Sequence, residues 1–247
     1  MSVPAVPLVL LAGMNCTPDL WTGCGLDDAL TPAVDADALD AQVDRLLRDL
    51  PRTFVIGGLS LGAIVAMAVT VRAPERVLGL CVTATNAKAP TPAQRVGWAG
   101  WLDRLSAGET PADLQSGILP ALLSERVRAT RPDLVERTLR MAEQTPDAVL
   151  AAQLHLQATR VDLLPGLCAV HVPSLVIAGR EDALCPPGFH DEIARALAGS
   201  RREQLDAGHL VPLERPVEFG ALVRDWRAGV DAETLGPRSS AGRAGAS

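Results

Sequence analysis

Apolar residues fall into short runs separated by polar, glycine- and proline-rich stretches. Pro7–Leu11 is a Leu and Val run that ends at Ala12-Gly13, which predicts a buried strand feeding a loop. Leu39, Val43, Leu46, Leu47 and Leu50 recur at one helical face, with Asp35 and Asp37 placed as caps and Pro51 as the stop. Thr53–Gly57 reads as a second buried strand. The segment Ala63–Ala73 that follows is apolar on all sides, so it predicts a buried helix, ended by Pro74. Val77–Thr83 and Val172–Ala178 are further strands, and a short last one is expected around Arg202–Leu205. Phe189, Ile193 and Leu197 form one helical stripe. Phe219, Leu222, Val223 and Trp226 form another, opened by Pro216, a residue suited to a first helical turn.

Strand and helix alternate, so the expected fold is α/β, a mostly parallel sheet covered by helices on both faces. The alternation breaks between Asn86 and Leu167. There the stripe Trp98, Trp101, Leu102, Leu105 and the runs Asp133–Met141 and Ala148–Ala158 are helical, and prolines cut the segment into pieces. Residues 1–85 and 168–230 are thus expected to build the core, 86–167 an all-helical insertion, and 231–247, which lack periodicity, a disordered tail. Met14 to about Asp35 is rich in Gly, Pro, Asp and Thr, and leaves a shortened strand without a definite place. The apolar start has no basic region and holds two prolines, which suits a first strand better than a signal peptide.

Composition narrows the function. The chain has 247 residues, 48% of them hydrophobic, enough for a sizeable core. A net charge of −6 repels phosphate backbones and disfavours nucleic-acid binding. No apolar stretch is long enough to span a membrane. The five cysteines, Cys16, Cys24, Cys81, Cys168 and Cys185, are odd in number and scattered, which argues against a disulfide framework or zinc site and for a reducing cytoplasm. Asp27, Asp28, Asp35, Asp37 and Asp40 have no His or Cys at ligand spacing and read as a solvated face; no metal is expected. No G-x-G-x-x-G is present, so no dinucleotide cofactor is expected.

The chemistry begins at Gly58-Leu59-Ser60-Leu61-Gly62, a G-x-S-x-G set between a strand and a buried helix. Such a turn exposes the serine hydroxyl at the carboxyl edge of the sheet, at a helix N-terminus that favours an anion. A serine needs a base. His155 lies in the insertion, His171 just before a strand and His190 on a helix with charged neighbours; these read as structural or surface histidines. His209 follows the last strand in DAGHLVPLERP, where it can reach the serine. Asp182, just past VPSLVIA, is the expected orienting carboxylate, with Glu181 its competitor. The chain order is Ser60, Asp182, His209.

The blocks GLSLGA, GREDALCP, AGHLVPLERP and LLAGMNCTPDLW resemble the nucleophile, acid, histidine and oxyanion-loop blocks of the α/β-hydrolase superfamily, over about Pro7 to Trp226. The chain is most similar to small esterases and enol-lactonases with a helical lid. The resemblance implies an oxyanion hole from the backbone amides of Met14 and Leu61, and makes residues 86–167 a lid whose Trp98 and Trp101 face lid packing, the substrate, or both. Two departures stand out. Ala12 occupies a place where many members have His, and the chain starts at what would be the third strand, so fewer than eight strands are expected. The implied activity is hydrolysis of a carboxylic ester of a small molecule through an acyl-enzyme. Acyl transfer, thioester, lactone or carbon–carbon hydrolysis, and non-catalytic ligand binding remain alternatives on the same residues. Oligomeric state is not legible.

Overall fold

The computed structural model describes residues 6–235. Five parallel strands form one sheet in sequential order: β1 (Leu8–Leu11), β2 (Phe54–Leu59), β3 (Val77–Thr83), β4 (Ser174–Gly179) and β5 (Arg201–Leu205). The α/β fold with a parallel sheet is as expected from the alternation. The shortened strand left without a place collapses to one residue. Leu30 bridges Val9, its N–H donating to the Leu8 carbonyl at 2.8 Å and its carbonyl accepting from Leu10 N–H at 2.9 Å.

The helices in chain order are α1 (Leu39–Asp49), α2 (Leu61–Arg72), α3 (Pro92–Ser106), α4 (Pro111–Gly117), α5 (Leu119–Leu122), α6 (Glu125–Thr130), α7 (Pro132–Glu143), α8 (Asp147–Thr159), α9 (Leu164–Leu167), α10 (Pro187–Ala196), α11 (Val211–Glu214) and α12 (Pro216–Leu235). Helices α3 to α9 all lie between β3 and β4.

Alternation along each strand divides the core. Val9, Leu11, Phe54, Ile56, Leu80 and Val82 pack with α1 and α2 on one face. Leu8, Leu10, Val55, Leu59, Cys81 and Leu175 pack on the other with Phe219, Val223 and Trp226 of α12. Helix α2 is buried on every side from Leu61 to Thr70, as its all-round apolar sequence requires.

Four details depart from the sequence reading. Asp35 and Asp37 do not cap α1: Ala38 holds the N-cap position with no side-chain hydrogen bond, and Asp35 instead pairs with Arg45. The acidic face is therefore partly neutralised, with Asp40 on Arg72 and Asp28 on Arg227. Strand β2 runs on through Gly58 and Leu59, because these residues keep their ladder partners Val82 and Thr83. Residues 231–235, assigned to the tail, continue α12, whose Val230 is still buried against the sheet; residues 236–247 lie outside the described residues. Within the described residues no helix is long and apolar enough to cross a membrane.

Candidate active site

Ser60 sits between β2 and α2 with φ 54° and ψ −115°, in a region that side chains other than glycine rarely adopt. The turn is held from both sides. Ser60 N–H donates to the Thr83 carbonyl at 2.9 Å, and the Ser60 carbonyl accepts from Ile64 N–H at 3.0 Å and from the Thr85 hydroxyl at 3.0 Å. The flanking glycines are needed for space. A Cβ on Gly58 would stand 2.4 Å from the Gly62 carbonyl carbon, and one on Gly62 would stand 2.0 Å from the Leu11 carbonyl oxygen. Strand β1, the turn and α2 thus touch through bare backbone.

His209 follows β5 and is 3% exposed; Asp182 follows β4 and is 4% exposed. His209 Nδ1 lies 2.9 Å from Asp182 Oδ2. Asp182 Oδ1 accepts from Leu184 N–H at 2.9 Å and Cys185 N–H at 2.8 Å. Glu181 is exposed beside Arg180, which pairs with Asp206. The structure therefore puts Asp182, not Glu181, on the histidine. Asp182 Oδ2 fixes Nδ1 of the ring, which leaves Nε2 for other chemistry.

The loop of His209 is braced by a residue that the sequence did not single out. Glu214 is buried and accepts from Gly208 N–H at 3.1 Å, Ser124 N–H at 2.8 Å and Ser124 Oγ at 2.6 Å. Ser124 caps α6, so this carboxylate ties the histidine loop to the helices between β3 and β4. The Met14 loop is tied to them as well. Asn15, at φ 58°, donates its N–H to Gln153 Oε1 at 2.9 Å and its side-chain amide to the Pro111 carbonyl at 2.9 Å and Gln115 Oε1 at 3.0 Å. Among the described residues neither the Met14 nor the Leu61 amide donates to another protein group.

Met14, Ser60 and His209 line one cleft together with Trp98, Trp101, Gln157, Arg160 and Cys185, enclosing about 870 Å³ of empty space with its open mouth included. Trp98 and Trp101 both face it, half-buried. They belong to α3, which has no fully buried residue.

The remaining histidines lie elsewhere. His155 and His171 are exposed. His190 is not a surface residue: it is fully buried, and its Nε2 accepts from Thr85 N–H at 3.1 Å. Burial lowers its pKa to about 4, against the opposing pull of Asp182. Asp182, Cys185 and His209 bring ligand-type atoms within 4.8 Å of one another. The set does not suit a metal. Two members are spent on each other, and burial pushes the Cys185 thiol up, so it stays protonated rather than a thiolate.

The alpha/beta hydrolase family model matches residues 5–222. The chain is 30% identical over 251 residues to a pimeloyl-[acyl-carrier protein] methyl ester esterase of Aromatoleum aromaticum, covering 88% of this chain and 96% of that one. It is 31% identical over 217 residues to the protein of the same name from Neisseria meningitidis serogroup C, covering 79% and 75%. Among solved structures it is similar to a thermophilic esterase from Thermogutta terrifontis, with TM-score 0.84, 26% identity, and 92% and 91% of the two chains covered. The enol-lactonase of Burkholderia xenovorans LB400 shares the fold, with TM-score 0.79 at 21% identity over 91% and 92%. A strained serine turn at the carboxyl edge of a parallel sheet and a match over most of its length lead to one conclusion: the chain belongs to the alpha/beta hydrolase family.

Proposed function

We propose that the protein is a serine hydrolase that cleaves a carboxylic ester of a small acyl substrate. The observation that carries this is the convergence of the strained Ser60 and the Asp182-bound His209 on one cleft. Ser60 Oγ attacks the ester carbonyl while His209 Nε2 takes its proton. Asp182 holds the ring in the tautomer that leaves Nε2 free and stabilises the imidazolium that forms. The amides of Met14 and Leu61 receive the oxyanion, Leu61 at the N-terminus of α2 where the helix dipole adds to the hydrogen bond. His209 then gives the proton to the departing alcohol. Water, activated by the same ring, attacks the acyl-enzyme and releases the acid.

The relatives named as methyl ester esterases support a small alcohol as the leaving group. Residues 86–167 act as a lid over the core of 1–85 and 168–230, and Trp98 and Trp101 shape the acyl site from α3. The five cysteines are free, which suits work in a reducing cytoplasm. The reaction calls on no cofactor or metal. The test is hydrolysis of methyl and aryl esters of graded acyl length, with release of acid followed by titration. Turnover that disappears in Ser60→Ala supports the reading; absence of turnover on every ester by the folded wild type overturns it.

A further inference from the structure

Arg160 follows α8 directly and is 4% exposed. Its protein partners are all neutral. Nε donates to the Lys88 carbonyl at 3.0 Å, Nη1 donates to Gln157 Oε1, and Asn86 Oδ1 lies 3.5 Å from Nη2. The guanidinium lies over the Trp98 ring, 5.4 Å from its centre. Arginines that keep more contact with water, such as Arg137 and Arg227, meet the carboxylates of Asp19 and Asp28. Arg160 has no such partner within 4.0 Å among the described residues, although burial makes a lone charge costly. Burial brings its pKa down to about 10, so it remains a cation at neutral pH. Arg95 adds a second positive charge nearby.

The unpaired cation faces the cleft of Ser60, and no Asp or Glu lines that cleft. Its contacts leave part of the five-donor guanidinium uncommitted. Contact with the Trp98 indole and hydrogen bonds to the Gln157 and Asn86 side-chain oxygens hold the fork in place, which lowers the ordering cost of receiving a planar or tetrahedral oxyanion.

We propose that Arg160 is a specificity-determining residue and that the cleft selects acyl substrates carrying, besides the reacting ester, a second group that is an oxyanion, a carboxylate or a phosphate. The substrate anion replaces water around a charge that the protein leaves without a counter-ion. This rests on the serine-hydrolase reading only for the identity of the ester.

The experiment measures kcat/KM on three matched series of methyl esters over a range of chain lengths: alkanoates, monoesters of the corresponding dicarboxylic acids, and esters with a terminal phosphonate. At the best length the wild type favours one anionic series over the neutral one by about tenfold or more, the scale of a charge-assisted hydrogen bond. The arm that wins distinguishes carboxylate from phosphate. In Arg160→Gln the ratio falls to about one, and in Arg160→Lys an intermediate ratio is kept. A wild-type ratio at or below one for both anions at every length overturns the proposal, as does an unchanged ratio in Arg160→Gln. If Arg160→Gln does not melt cooperatively, the Arg160→Lys ratio decides: a value equal to wild type overturns it. Binding separates this from the reaction itself. In Ser60→Ala, calorimetry with the free dicarboxylate and the alkylphosphonate, against the matching alkanamide, reads the anion site without turnover. Binding of an anion that is lost on adding Arg160→Gln supports the site even if no ester is cleaved, and equal binding of amide and anions removes it.

Discussion

His209 Nδ1 and Asp182 Oδ2 lie 2.9 Å apart, and the second oxygen of that carboxylate is occupied by the amides of Leu184 and Cys185. The carboxylate cannot turn away from the ring without breaking two backbone hydrogen bonds. Asp182→Asn keeps the shape but presents an NH₂ or a weaker acceptor to the ring and favours the wrong tautomer. A loss of roughly 10⁴ in turnover is expected, the scale seen for this change in a serine protease triad. Glu181→Gln, at an exposed side chain, should cost less than about tenfold. Turnover on one activated ester, with folding checked by thermal melting, decides; a crippled Glu181→Gln beside a near-normal Asp182→Asn would reverse the assignment.

A fluorophosphonate probe should label Ser60 in the wild type and not in Ser60→Ala, because only an activated serine reacts quickly. Mass spectrometry of the labelled peptide reads the site. Labelling that survives in Ser60→Ala would place the nucleophile elsewhere.

Glu214→Ala removes the acceptor of the Ser124 and Gly208 amides, leaving buried donors unpaired. Destabilisation of about 3 kcal/mol is expected, a fall in Tm of about 6–12 °C for a chain of this size. Since Gly208 precedes His209, turnover should fall with it below the melting range. A Tm within about 1 °C of wild type would show that Glu214 braces nothing.

Stability should drop on acidification through His190. Unfolded, this ring protonates below its ordinary pKa near 6.5; folded, burial holds it neutral down to about 4. The unfolded chain therefore binds the extra proton between these values, and stability contributed by the neutral ring is lost as pH falls from about 6.5 to about 4. Protonation would also break the acceptor bond to Thr85 N–H, whose hydroxyl holds the Ser60 carbonyl. Urea unfolding at pH 7 and pH 5 should show a smaller loss in His190→Gln than in wild type; equal losses would acquit His190.

Gly62→Ala should fail to yield folded protein, since the new Cβ would meet the Leu11 carbonyl oxygen at 2.0 Å with backbone on both sides. Expression followed by circular dichroism checks it, with Gly97→Ala, where nothing lies within 4 Å, as the tolerated control.

Much of this architecture is legible in the chain. Strands such as Val77–Thr83 announce themselves because a buried parallel strand needs a continuous apolar run. Ser60 and Asp182 stand out because each follows such a run at the carboxyl edge of the sheet, whereas His209 follows the polar strand β5 and is marked by its place in DAGHLVPLERP after the last strand. What stays hidden depends on partners far off in sequence. Leu30 is a strand only in its pairing with β1. Glu214 gains its meaning from Ser124, and Asn15 from Gln115 and Gln153, residues with no local pattern to mark them. Arg160 has no sequence pattern to mark it, because burial without a counter-ion is a property of the folded cleft alone. The sequence leaves His190 between a structural and a surface role, and only the fold decides for the first: its charged neighbours Asp191 and Glu192 pair with Arg202 and Lys88 and leave it inside.

Helix α3 contributes Trp98 and Trp101 to the cleft yet buries no residue completely, while the serine turn is wedged between backbones that tolerate no added carbon. An added carbon at Gly97 or Gly100 of α3 therefore meets open space, whereas one at Gly58 or Gly62 meets backbone. The two walls of the cleft thus differ in latitude: one can exchange side chains, the other cannot gain a single carbon.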